Sequence, residues 1–203
     1  KQQVNKAPMR ETMAALFLRA CGYDGAGPVY DPMCGSGTFP IEAAEVAVGL
    51  APGRLRNFAF EQLVGYDPIS RPKMHTPSTG VQFFGTDRDS GAIAMSRANA
   101  TRAGVQDICT FETRPISDMV PPTTDKGLVI LNPPYGGRIG NKKPLYGLYA
   151  ALGARLKDQF SGWRIGLITS EAALAKTTGL TWDTPGPIVD HGGTKIQLWQ
   201  TQL

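Results

Sequence analysis

Cysteine and histidine are scarce in this chain, with three and two in 203 residues. Cys21, Cys34 and Cys109 are odd in number, far apart, without a Cys-x-x-Cys and without histidine at ligand spacing, so neither a disulfide framework nor a zinc site is supported. No metal is expected, and the cysteine usage fits a reducing cytoplasm. His75 and His191 both fall in expected loops, so no Ser-His-Asp set competes for the chemistry. There is no run of about eighteen apolar residues, and Lys1-Gln2-Gln3-Val4-Asn5 lacks the apolar core of a signal peptide, so a soluble chain without membrane contact is expected. Repeats and low-complexity segments are absent as well. The formal charge of +4 and pI near 9.0 permit a polyanionic partner without requiring one. The length and a hydrophobic fraction of 41% suit a single α/β domain over residues 1–203. Lys1 in place of an initiator Met leads to the expectation of a fragment or processed form with something N-terminal missing.

What the chain does have is two motifs, each following an apolar strand. Pro28-Val29-Tyr30 runs into Asp31-Pro32-Met33-Cys34-Gly35-Ser36-Gly37-Thr38, after which a helical pattern begins. Leu128-Val129-Ile130-Leu131 runs into Asn132-Pro133-Pro134-Tyr135. If the strands are parallel, both motifs end on one sheet edge, where open α/β folds bind nucleotide-like ligands.

Between and around them, strand and helix alternate, which implies a parallel sheet. Helices are expected over Met13 to Leu18, Ile41 to Leu50, Ser90 to Ala103 with Ile93, Met95 and Ala98 inward and Gly104 as C-cap, Leu145 to Phe160, and Glu171 to Lys176. Strands are expected over Val81 to Asp87, Cys109 to Glu112 and Trp163 to Thr169. The tail alternates through Ile188-Val189 and Lys195 to Trp199 about His191-Gly192-Gly193, the signal of an antiparallel hairpin. From Arg54 to Thr79 the alternation lapses into an insertion with Arg54, Arg56, Arg71, Lys73 and His75 among Phe58, Phe60 and Tyr66. It reads as a surface loop packed by its aromatics, with the basic residues at its ends as RNA-contact candidates.

A Gly-x-Gly turn serves NAD, FAD and S-adenosylmethionine alike. A dinucleotide fingerprint wants a third glycine where this chain has Pro40, and an acid about twenty residues on, whereas Asp87 lies far beyond. S-adenosylmethionine has no pyrophosphate and needs carboxylates for its ribose and ammonium instead. Asp31 is placed for the ammonium, Asp87 for both ribose hydroxyls and Asp118 for the adenine amino group. Asp89, one residue before Ser90, belongs to a helix N-terminus. Cys34 has no cationic activator nearby and reads as a small residue packed under the cofactor.

Asn-Pro-Pro-Tyr is more specific. The prolines stiffen the strand exit and present Asn132 and the Pro133 carbonyl as fixed acceptors, which suit a planar –NH₂ group. Two acceptors on its hydrogens draw the nitrogen toward tetrahedral geometry as a methyl group approaches, and so favour the transition state. Tyr135 is placed to stack on a base. Basic Gly136 to Lys143, with Arg138, Lys142 and Lys143, is a loop beside this motif that offers phosphate contacts.

With these residues the chain resembles the catalytic domain of the THUMP-associated RNA guanine-N2 methyltransferases, nearest the bacterial 23S rRNA group. The likeness is carried by Ala7 to Thr12, Asp31 to Thr38 with Ile41-Glu42-Ala43-Ala44, Ala51-Pro52-Gly53, Phe58-Ala59-Phe60-Glu61, Gly85-Thr86-Asp87 and Asn132 to Gly136. It implies a Rossmann-like, mostly parallel seven-stranded sheet of the class I methyltransferases with an antiparallel C-terminal hairpin, S-adenosyl-L-methionine as methyl donor, and RNA as partner. It implies that Asp31, Cys34, Gly35 and Gly37 contact the methionine side, Asp87 the ribose and Asp118 the adenine. Asn132, Pro133, Pro134 and Tyr135 form the target-amine site, and Asn132 is counted with the cofactor contacts as well. The family also carries an N-terminal THUMP domain, for which this length has no room. Pro40, where relatives carry an aliphatic residue, departs from the pattern. The second motif equally suits tRNA guanine-N2, DNA adenine-N6 and protein glutamine-N5 methylation, and a non-catalytic RNA-binding module is the rival from another class.

Overall fold

The computed structural model describes residues 9–54, 56–67, 80–135, 143–183, 185–186 and 188–203. Arg71, Lys73 and His75 of the insertion, and Arg138 and Lys142 beside the second motif, lie outside them. The chain runs α1 (Glu11–Ala20), β1 (Val29–Asp31), α2 (Thr38–Ala47), β2 (Phe83–Asp87), α3 (Ser90–Ala103), β3 (Cys109–Thr113), β4 (Leu128–Leu131), α4 (Lys143–Gln159), β5 (Arg164–Thr169), α5 (Ala172–Thr177), β6 (Ile188–His191) and β7 (Thr194–Gln202).

The described strands form one sheet in the order β3-β2-β1-β4-β5-β7-β6. The first five are parallel, and β7 enters antiparallel between β5 and β6. This is the seven-stranded, Rossmann-like arrangement with a reversed C-terminal hairpin. Gly192 and Gly193, both at positive φ, close that hairpin in two residues. His191 pairs with Thr194 at the end of β6 and so belongs to the strand rather than to the turn.

Helices cover both faces, which is why β4 reads as an unbroken apolar run rather than an alternating one. Leu128 and Ile130 pack with α1, α2 and α3. Val129 and Leu131 pack on the other face with Tyr149, Leu152 and Leu156 of α4 and with Trp163. Among the described residues no helix is long and apolar enough to cross a membrane.

Two helices differ from expectation. α2 starts at Thr38, directly on Gly37, and ends at Ala47 rather than Leu50. Pro40 sits in its first turn, where its missing N–H has no intrahelical acceptor to satisfy. In α3 the buried face is Ala92, Ile93, Ser96, Asn99 and Ala100, while Met95 and Ala98 are only half-buried. The apolar stripe is interrupted by two small polar residues that periodicity assigns to solvent. Gly104 caps the helix in the left-handed conformation and Asp89 caps its start, accepting from the amides of Gly91 and Ala92.

The insertion is packed by its own rings. Phe58 stacks on Phe60 at 5.3 Å, Phe60 meets Tyr66 edge-on at 5.7 Å, and the Arg56 guanidinium lies 4.6 Å over Phe58. Arg54 ties its start to the body by pairing with Glu45 of α2 and donating to the Ala103 carbonyl, each at 2.7 Å.

Candidate active site

Because β1 to β4 are parallel and in register, their carboxyl ends share one edge. Asp31 lies opposite Gly85 and Asp87 opposite Thr113, while β4 runs alongside β1 and delivers Asn132. β1 is also where the strand order reverses, with β2 on one side and β4 on the other, so the crevice that open α/β sheets offer a ligand opens here.

The glycine turn is stitched to its neighbours. The Cys34 amide donates to the Thr86 carbonyl at 2.9 Å, and Tyr30 Oη and Thr86 Oγ1 are 2.9 Å apart. The Gly35 amide donates to Asp87 Oδ2 at 3.0 Å, and the Asp89 amide donates to Oδ1 of the same carboxylate at 3.0 Å. Cys34, Gly35 and Asp87 are thereby tied together, and the Asp31 carboxylate is an electrostatic neighbour of both Cys34 and Asp87. Asp118 reaches the same edge after β3, but it is exposed and its carboxylate accepts from the Ser117 hydroxyl at 2.9 Å.

The two glycines differ in what surrounds them. A Cβ on Gly35 would meet no atom of the described residues within 4 Å, so among them this residue borders open space. A Cβ on Gly37 would stand 3.0 Å from Ser96 Cβ and 3.1 Å from the Phe111 ring. Gly37, at φ +80°, is thus demanded first by packing of the turn onto α3 and β3.

Asp31 is only 3% exposed, and its Oδ1 accepts the Met33 amide at 2.9 Å. Burial raises its pKa well above the usual carboxylate value against the lowering effect of that amide, and the nearby Asp87 charge adds to the rise. A buried carboxylate in this state gains most from a cation. Burial likewise holds the Cys34 thiol protonated, with Asp31 reinforcing it. That agrees with a packed Cys34 rather than a thiolate nucleophile.

At the end of β4, Asn132 Oδ1 is a buried acceptor with no donor among the described residues. A lone acceptor of this kind costs about 1–3 kcal/mol. Pro133 is buried, Pro134 exposed and Tyr135 half-buried, packing against the cores on both faces of the sheet. Tyr149 of α4, fully buried, donates its hydroxyl to the Pro134 carbonyl at 3.4 Å and steadies the turn. Lys143 is exposed as the first residue of α4. Among the described residues no group of three or more His, Cys, Asp and Glu side chains could hold a metal ion.

Sequence reasoning missed Thr86, Ser96, Asn99 and Tyr149, all of which hold the two motifs through backbone carbonyls or a partner hydroxyl. The one available signal was a serine and an asparagine three residues apart within the apolar stripe of α3.

A model of the family described as "RMKL-like, methyltransferase domain" matches residues 1–184. The chain is similar to the ribosomal RNA large subunit methyltransferase K/L of Vibrio campbellii, 36% identical over 186 residues that cover 86% of this chain and 26% of that protein. Its similarity to the protein of the same name from Legionella pneumophila is 39% over 194 residues, covering 90% and 27%. The chain thus spans about a quarter of the length of the curated relatives it matches. Among solved structures it is similar to SMU.472 complexed with SAH, with a TM-score of 0.89 at 28% identity, covering 98% of this chain and 54% of that one.

Proposed function

The chain belongs to the family of RMKL-like methyltransferase domains, and from that premise we propose that it transfers a methyl group from S-adenosyl-L-methionine to the exocyclic N2 of guanine in RNA, with 23S rRNA as that RNA. The observation that carries the reading is Asn132 Oδ1, an acceptor buried without a donor on the sheet edge that also holds Asp31, Gly35 and Asp87. A planar –NH₂ group is the donor it lacks. The shared name of the curated relatives supports ribosomal RNA. Guanine N2, rather than adenine N6 or glutamine N5, rests on the resemblance carried by Ala51-Pro52-Gly53 and Phe58-Ala59-Phe60-Glu61.

The residues present fit the cofactor. Beside Gly35 there is open space among the described residues, none of them sets a cation against the buried Asp31 carboxylate, and Asp87 stands fixed by two amides. In this reading Asp31 takes the methionine ammonium, Cys34 and Gly35 line the methionine side, Gly37 shapes the turn, Asp87 accepts from the ribose hydroxyls and Asp118 from the adenine amino group. S-adenosyl-L-methionine supplies an electrophilic methyl group. The protein does the rest by orientation: Asn132 Oδ1 and the Pro133 carbonyl accept the two target N–H groups, and Tyr135 stacks on the base. Lys143, with Arg138 and Lys142, contacts phosphates beside the target. The base must be unpaired or flipped, since guanine N2 otherwise lies in a helical minor groove.

The test is methyl transfer from labelled S-adenosylmethionine to protein-free 23S rRNA, tRNA, DNA and a release-factor peptide, followed by nucleoside analysis. N2-methylguanosine in 23S rRNA is expected. Label confined to DNA or peptide overturns the reading.

A further inference from the structure

The glycine turn must present its open side at Gly35 to a ligand while its own carbonyls stay satisfied. Two side chains of α3 do this. Ser96, fully buried, has its hydroxyl 2.8 Å from the Gly35 carbonyl and 3.1 Å from the Ala92 carbonyl one turn back, and its one proton goes to the nearer acceptor, Gly35. Asn99, 4% exposed, donates from Nδ2 to the Ser36 carbonyl at 2.8 Å. The bonds to the turn are not helix bonds, and each of the two residues costs apolar burial on the face that packs against the turn. An asparagine amide can also be turned end for end, which would aim Oδ1 at the Ser36 carbonyl and repel it. Arg102, exposed on the same helix, donates to Asn99 Oδ1 and so holds Nδ2 toward the turn.

We propose that Ser96 and Asn99 are positioning residues that hold the glycine turn in its ligand-accepting conformation, with Arg102 setting the orientation of the Asn99 amide. They act through the turn and touch no reacting atom. The inference rests on the reading of this turn as the S-adenosylmethionine site. Its physical content is preorganisation: two charge-neutral hydrogen bonds fix carbonyls that would otherwise rotate toward the open space.

Binding of S-adenosylhomocysteine, measured by calorimetry well below each variant's melting temperature, and amide exchange over Met33 to Thr38 without ligand, test it together. Ser96→Ala and Asn99→Leu are each expected to raise Kd about tenfold, the loss of one buried hydrogen bond, and to speed exchange of the turn. KM for the cofactor should rise while kcat at saturation holds. Arg102→Met, a surface change that leaves the core intact, is expected to raise Kd about threefold. It decides the matter with Ser96→Ala if Asn99→Leu does not fold. Ala94→Gly, on the exposed face of α3, weakens the helix without reaching the turn, and its Kd should stay at the wild-type value. Kd within twofold of wild type and unchanged exchange for both Ser96→Ala and Arg102→Met overturn the inference. Absence of binding by the wild type instead overturns the cofactor reading, and the exchange arm then judges the positioning on its own.

Discussion

Asp87 Oδ2, at the end of β2, accepts the backbone amide of Gly35 beyond the end of β1 at 3.0 Å. The carboxylate proposed for the ribose and the turn proposed for the methionine moiety are therefore one mechanical unit. Asp87 Oδ1 accepts a second amide, from Asp89 at the cap of α3, so the same side chain also sets how the helix leaves β2.

Replacing Asp87 should accordingly cost both affinity and stability. Asp87→Asn keeps the shape but can offer only one oxygen to two amides. Titration calorimetry is expected to show S-adenosylhomocysteine binding weakened at least about tenfold, and denaturation a loss of about 1–2 kcal/mol. A loss of affinity with unchanged stability would mean that the two amides do not depend on this carboxylate.

The glycines of the turn should separate binding from folding. Gly37→Ala adds a methyl against Ser96 and Phe111 at φ +80°, and about 2–4 kcal/mol of stability is expected to go. Gly35→Ala meets no atom of the described residues within 4 Å and carries the left-handed strain of about 1–2 kcal/mol, yet it intrudes on the ligand space. Melting temperatures and cofactor Kd measured side by side check this. The expected pattern is a large stability loss at Gly37 and a large affinity loss at Gly35.

Asn132→Ala removes an acceptor that has no donor among the described residues. Its stability should hold or rise slightly, because an orphaned buried group is gone. The rate of methyl transfer at saturating cofactor is expected to fall about 10²- to 10³-fold, while Kd for S-adenosylhomocysteine changes only a few-fold. Retention of near-wild-type turnover would remove Asn132 from the chemistry.

Asp31 gives a pH dependence with a definite sign. Burial raises its folded-state pKa well above the unfolded value, so the folded protein binds that proton more tightly. The stability contributed by the neutral form is fully present below the unfolded pKa of about 3.9 and is lost as pH climbs from there through the raised value. Asp31→Asn should abolish that slope and raise the melting temperature of the ligand-free protein near pH 7, while weakening cofactor binding. An ammonium group beside Asp31 favours its ionised form, so binding in this window releases a proton and tightens with pH. Calorimetry in buffers of different ionisation enthalpy reads the proton directly; uptake rather than release would place the ammonium elsewhere.

Much of this protein is determined by local sequence. The apolar run Leu128 to Leu131 becomes β4, Gly104 ends α3, Gly192-Gly193 closes the hairpin, and Asp89 caps a helix, because each depends on the backbone preferences and polarity of adjacent residues. The two motifs were legible for the same reason, as short strings whose residue types limit what backbone they can form. What tertiary structure alone decided is which neighbours those strings meet. Gly35 and Gly37 are alike in sequence, but only the approach of Ser96 and Phe111 makes one a packing residue and leaves the other beside open space. Ser96 and Asn99 have the polarity of solvent-facing residues, yet they are buried because the carbonyls they bond lie on a turn some sixty residues earlier, separations of 61 and 63. Periodicity records apolar burial along one helix; it carries no record of a distant carbonyl that makes a buried amide favourable.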